Sequence, residues 1–149
     1  MKNEPIFTWD EVTGTASCIL SDGEKIFTGF ANCHPEDIDM CSEKTGCEIA
    51  LRRAKINALK DYRNEVKVRL SALNQLYYSM NRSKYFNKKS YENKMLQRQI
   101  RLTNFDLDTV KEMIVSEQQS LKSYITRKIN FIIKHVYAEK RPTAINLLS

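Results

Sequence analysis

Glycine and proline are scarce in this chain, at 4 and 3 of 149 residues, which excludes collagen-like, linker-like and low-complexity architectures. Long apolar runs are missing as well. No stretch approaches the roughly 18 apolar residues a membrane span needs, and Met1 to Glu11 is too polar, and broken by Pro5, to read as a signal peptide. A protein that stays in the cytoplasm where it is made is the expectation. Catalytic signatures are equally sparse. The sequence has no glycine-rich phosphate loop, no nucleophile elbow and no His-Glu-x-x-His, and its two histidines, His34 and His135, stand far apart. The sequence therefore predicts a protein that is not an enzyme and needs no cofactor. Glu36, Asp37 and Asp39 form an acidic loop that reads as solvent-facing or as favourable to a following helix.

Cysteine is confined to the first third, at Cys18, Cys33, Cys41 and Cys47. No pair has the short spacing that closes a zinc knuckle, even with His34 nearby. Without a secretory signal, free thiols are expected rather than a disulfide framework.

What is present is charge and hydrophobic periodicity. Lys and Arg total 24 against 18 Asp and Glu, a formal charge of +6, which attracts anionic partners and also aids solubility. The 42% hydrophobic content is enough for one domain with a core. Thr13–Leu20 and Lys25–Cys33 are rich in strand-compatible residues, and Asp22-Gly23 between them supplies the positive φ angles of a tight hairpin turn. Ile6–Trp9 is the candidate third strand, since an isolated hairpin is marginal in water. Pro35 ends this region.

A helix is predicted to start near residue 43, with Thr45-Gly46-Cys47-Glu48 as a capping box and Ser42 as the competing cap. Its apolar stripe runs through Ile49, Ile56, Leu59, Val66, Leu70, Leu73, Tyr77 and Met80, with Arg52 and Arg63 occupying seam positions. A polar, basic and aromatic break follows at about 81–92, and Ser90 can cap the next helix. The second stripe comprises Leu96, Ile100, Leu107, Val110, Ile114, Leu121, Ile125, Ile129, Ile132 and Val136, ending at Arg141-Pro142. Thr103-Asn104 is a soft spot where that helix can kink.

The predicted fold class is α+β. A small N-terminal antiparallel β-sheet (1–41) is followed by two long antiparallel α-helices forming a helical hairpin (43–141), with a tail at 142–149, all in a single domain. Leu51, Tyr62, Val68, Tyr78, Phe105, Phe131 and Ile133 fall off the stripes, so a homo-oligomer, a dimer or higher, is expected to cover them.

The break carries the chemistry of most interest. Tyr85, Phe86 and Tyr91 lie among Arg82, Lys84, Lys88, Lys89 and Lys94, with Arg98 and Arg101 following. Rings stack on a planar base while guanidinium groups hold phosphate oxygens, and Asn93 has the paired donor and acceptor to read a base edge. The alternative is that Tyr85 and Phe86 cap the hairpin core while the lysines are solvated. Arg63 either pairs structurally, with Glu117 as a candidate, or completes an anion pocket with a neighbouring chain in an antiparallel dimer.

The run Phe27-Thr28-Gly29-Phe30-Ala31-Asn32-Cys33-His34-Pro35-Glu36-Asp37, with Gly46-Cys47-Glu48-Ile49-Ala50-Leu51-Arg52-Arg53-Ala54 and Ser90-Tyr91-Glu92-Asn93-Lys94, resembles the phage-encoded Thoeris anti-defence proteins of the first type. The resemblance implies a viral immune-evasion sponge: a homo-oligomer with pockets between protomers that sequesters cyclic ADP-ribose isomers, and in some members cyclic oligonucleotides, without cleaving them. It further implies Phe86, Asn93, Arg98 and Arg101 as ligand residues. Two other functions fit the composition, a basic nucleic-acid-binding module and a protein inhibitor of a host defence protein.

Overall fold

The computed structural model describes residues 4–33, 42–82 and 90–135. Three strands, β1 (Ile6–Asp10), β2 (Thr15–Ser21) and β3 (Ile26–Asn32), precede two helices, α1 (Glu43–Arg82) and α2 (Tyr91–His135). The strands form one antiparallel sheet in the order β1-β2-β3. This is the α+β arrangement predicted, with all three strands present.

Both turns of the sheet are built on an aspartate. At the first, Val12 and Thr13 N–H groups donate to Asp10 Oδ1, and Gly14 takes a φ of 66° as its N–H returns to the Asp10 carbonyl. At the second, Glu24 and Lys25 N–H groups donate to Asp22 Oδ1 at 2.9 and 2.7 Å. Of the Asp22-Gly23 pair only Gly23 is left-handed, at φ 97°. The aspartate therefore supplies acceptors rather than the second positive φ expected of it. In both cases the donated N–H groups hold the carboxyl below its ordinary pKa.

The chain divides into two compact units, Met1–Asn57 with Ser116–Ser149, and Ala58–Val115. In the first, one sheet face packs on the start of α1. Ala16, Cys18, Ala31, Ala50 and Ala54 form its buried core, with Trp9, Leu20, Cys47, Ile49 and Leu51 packed around them. Small side chains let the backbones approach closely. A Cβ added at Gly29 would lie 2.0 Å from the Ala50 carbonyl oxygen and 2.5 Å from the Ala54 nitrogen. Two α1 side chains then reach the outer edge of β3, where Arg53 Nη1 donates to the Phe30 carbonyl and Asn57 Nδ2 to the Thr28 carbonyl, each at 2.7 Å. The opposite sheet face leaves Ile6, Ile26 and Phe30 exposed.

Arg52, read as a seam residue, ties the helices of the first unit together. Its Nε donates to Glu48 at 2.9 Å, its Nη1 to Ser120 at 3.0 Å, and its guanidinium lies 4.9 Å from the Tyr124 ring centre. In the second unit Val66, Leu107, Val110 and Ile114 are buried together with Leu59 and Leu70 against them. The pairing of Val66 with Leu107 and of Tyr77 with Gln97 makes these segments of α1 and α2 antiparallel.

Several boundaries differ from those the sequence predicts. Ser42, rather than Thr45, caps α1: its Oγ accepts the Thr45 N–H at 3.3 Å. Glu48 is thereby released from the expected capping box and pairs with Arg52. Ser90 caps α2 as predicted, accepting the Asn93 N–H at 3.2 Å. Asn81, Arg82, Tyr91 and Glu92 are helical, so the break is shorter than 81–92. Thr103 and Asn104 do not interrupt α2, because their side chains bond back to the carbonyls of Gln99 and Ile100. Cys33 is disulfide-bonded, with its partner outside the described residues, against the expectation of four free thiols; Cys18 and Cys47 are free. The end of the second helix near Arg141 and the acidic loop at Glu36–Asp39 also lie outside the described residues.

Candidate functional site

The sequence-predicted ligand residues that the structure describes fall on the second unit. Tyr85 and Phe86 lie outside the described residues. Tyr91 opens α2 and is 73% exposed. Lys94, Arg98 and Arg101 follow at four- and three-residue steps, all exposed, so they form one cationic row along the helix surface next to the Tyr91 ring. The row follows from the local sequence, because a helix begun at the Ser90 cap places these positions on one side.

Asn93 sits differently. It is fully buried, and its Oδ1 is 3.5 Å from Gln97 Nε2, which also reaches the Tyr77 hydroxyl at 3.3 Å. Asn81 joins this polar cluster by donating from Nδ2 to the Tyr77 carbonyl at 2.7 Å, while its own Oδ1 is buried with no hydrogen-bond partner among the described residues. Asn93 thus braces the start of α2 from within, whereas Tyr91, Lys94, Arg98 and Arg101 face outward. Arg82 is exposed at the end of α1, its guanidinium 5.3 Å from the Tyr78 ring centre.

Arg63 is not brought to this row. Tyr77 is level with Gln97, and Arg63 lies fourteen residues earlier on α1, about 21 Å along the axis at 1.5 Å per residue. Its Nε is buried with no hydrogen-bond partner among the described residues.

A feature absent from the sequence reading is an open depression of about 450 Å³ along α1, lined by Lys67, Leu70, Ser71, Asn74, Gln75 and Tyr78. Its mixture of small polar and apolar residues carries no periodic signal of its own. One buried thiol, Cys18, and one half-buried thiol, Cys47, are also present. Burial, and then the nearby Cys47, push the Cys18 thiol above its ordinary pKa, and burial does the same for Cys47. Neither is activated as a nucleophile. Among the described residues no group of three or more His, Cys, Asp and Glu gathers as a metal site, and no helix is long and apolar enough to cross a membrane.

Compared with protein-family models, with curated proteins and with solved structures, the chain matches none.

Proposed function

We propose that this protein binds and sequesters, without cleaving it, a cyclic nucleotide-derived immune signal such as a cyclic ADP-ribose isomer, and so blocks a Thoeris-type defence in the cytoplasm of an infected bacterium. The observation that carries the reading is the exposed row Lys94, Arg98 and Arg101 beside the outward Tyr91 ring, together with the sequence runs that resemble the first type of Thoeris anti-defence protein. Stacking on a purine and charge-assisted bonds to a pyrophosphate need only such groups. Enclosure without reaction needs no catalytic side chain, and the two thiols in view are held protonated by burial.

The row lies on an open helix surface, and a ligand held tightly must be largely enclosed. The sponge therefore functions as a homo-oligomer, in which a second copy closes over the row. Arg63, about 21 Å along the axis from the middle of the row in its own chain, reaches a ligand across that interface, and Tyr85 and Phe86 complete the proposed set, while the buried Asn93 supports the row from behind.

The test is a thermal-shift titration with cyclic ADP-ribose isomers, followed by heat release of the ligand and mass spectrometry. A raised midpoint with ligand recovered at unchanged mass is expected. Absence of any shift refutes the reading, and recovery of a hydrolysed product replaces it with an enzyme. Steeply salt-dependent binding to arbitrary DNA or RNA, in place of the small ligand, replaces it with a nucleic-acid-binding module.

A further inference from the structure

The depression along α1 lies wholly within the second unit. Its volume of about 450 Å³ falls in the range of small-molecule pockets, roughly 300–1,000 Å³. Lys67, Leu70, Ser71, Asn74, Gln75 and Tyr78 line it. They recur at three- and four-residue steps, so they follow one flank of the helix. Lys67 and Tyr78, at its two ends, stand about 16 Å apart along the axis at 1.5 Å per residue.

The chemistry changes in order along this flank. Tyr78 is 63% exposed, and the Arg82 guanidinium lies over its ring. With one face taken by a cation, the ring has one face left for a single stacked base. Asn74 and Gln75 follow one turn away, each with the donor and acceptor that match a base edge. Ser71 comes next with a hydroxyl that both donates and accepts, beside the apolar Leu70. Lys67, exposed at the far end, is a flexible point charge suited to phosphate. Among the described residues that line the depression none is acidic, so a phosphate meets no like charge there. Ring, amides, hydroxyl and cation thus repeat the order of base, sugar and phosphate in a linear nucleotide.

We propose that the α1 depression binds a linear nucleoside diphosphate, with its base on Tyr78, its base edge at Asn74 and Gln75, and its phosphates at Lys67. One ring accepts one base, whereas a nucleic-acid strand needs a succession of rings and cations. An extended diphosphate spans most of the length between the ends, and the four-carbon stem of Lys67 covers the rest. A cyclic nucleotide, its base folded back on its phosphates, does not reach both ends. The site shares no residue with the α2 row of the proposed function and needs no second copy of the chain.

The test is a nuclear magnetic resonance titration of the full chain, following ligand signals, with adenosine diphosphate, adenosine and inorganic pyrophosphate as probes. Adenosine diphosphate is expected to bind, and each of the two part-molecules to bind at least about tenfold more weakly. Tyr78→Ala weakens adenosine diphosphate about tenfold and leaves pyrophosphate unchanged, whereas Tyr78→Phe keeps the affinity. Lys67→Ala weakens adenosine diphosphate and pyrophosphate and leaves adenosine unchanged. Both side chains are exposed, so circular dichroism of the variants is expected to match wild type. No binding of adenosine diphosphate, pyrophosphate bound as tightly as the nucleotide, or wild-type affinity in Tyr78→Ala and Lys67→Ala overturns the site. Loss of adenosine diphosphate binding in Lys94→Ala moves the ligand to the α2 row and overturns it equally. A chain that binds adenosine diphosphate but no cyclic ADP-ribose isomer keeps this site and removes the sponge; the opposite result does the reverse.

Discussion

Replacing Gly29 by alanine places a methyl group where the backbone of α1 already stands. The added Cβ would lie 2.0 Å from the Ala50 carbonyl oxygen and 2.5 Å from the Ala54 nitrogen. Ordinary contact begins near 3.4 Å, so α1 must retreat by more than an ångström. Neither obstacle is a flexible side-chain tip, and the retreat opens the packing of Ala16, Cys18, Ala50 and Ala54, each fully buried. Overpacking costs typically about 1–3 kcal/mol, and a backbone obstacle places this case at the upper end. The lost flexibility of the unfolded chain returns about 0.4–1 kcal/mol. A net destabilisation of about 2 kcal/mol follows, which lowers a urea midpoint by about 1 M at a typical slope. The single tryptophan, Trp9, packs in this same cluster, so its fluorescence reports the unit concerned. Thr28→Ala, on the exposed face, serves as a control expected within about 0.5 kcal/mol of wild type. A Gly29→Ala protein as stable as wild type would refute the close approach of sheet and helix on which the first unit is built.

Four further outcomes are expected. Ser42→Ala costs about 1 kcal/mol by removing the acceptor of the Thr45 N–H, whereas Thr45→Ala has no capping effect; urea unfolding followed by circular dichroism ranks them, and the reverse order restores the Thr45 capping box. Arg63→Met leaves stability unchanged or raises it by about 1 kcal/mol, because the Nε it removes is buried without a partner among the described residues; the same variant loses affinity for the cyclic ligand if Arg63 closes the pocket, and a calorimetric titration separates the two effects. Asp10 and Asp22 have folded pKa values below the ordinary range, so their contribution is complete above the unfolded value and lost as pH falls through the folded one; Asp22→Asn is expected to flatten the acid limb of the stability curve, and an unchanged limb counts against the turn geometry. Cys18 and Cys47 react slowly with iodoacetamide at neutral pH and rapidly in urea, as peptide mapping will show, since burial raises both thiols; fast labelling of the native chain contradicts their placement.

Much of the fold is legible because its signals are local. Asp22-Gly23 between two β-compatible runs marks the hairpin, and Ile6–Trp9 supplies the third strand that a bare hairpin lacks. The 3.6-residue periodicity marks Val66, Leu107, Val110 and Ile114 as core, and all are buried. What escapes is carried by residues with weak individual signals. Ala50, Ala54 and Gly29 hold the sheet to α1 through their smallness, which hydrophobic patterning does not register. Ser42 and Thr45 both have the chemistry of a cap, and the choice between them is decided by where the chain turns into the helix. For the candidate site, the row of Lys94, Arg98 and Arg101 is visible from spacing alone once Ser90 is taken as the cap. The inward turn of Asn93 is not, because it depends on Gln97 and on Tyr77 from the other helix.

Arg53 and Asn57 occupy carbonyl groups on the outer edge of β3. A strand whose acceptors are taken in this way cannot template the addition of another, so the sheet has at most one growing end, at β1. Fibrillar stacking requires an unbroken series of such additions, and helix side chains that shut one end confine misassembly to a single pairing event rather than a chain of them.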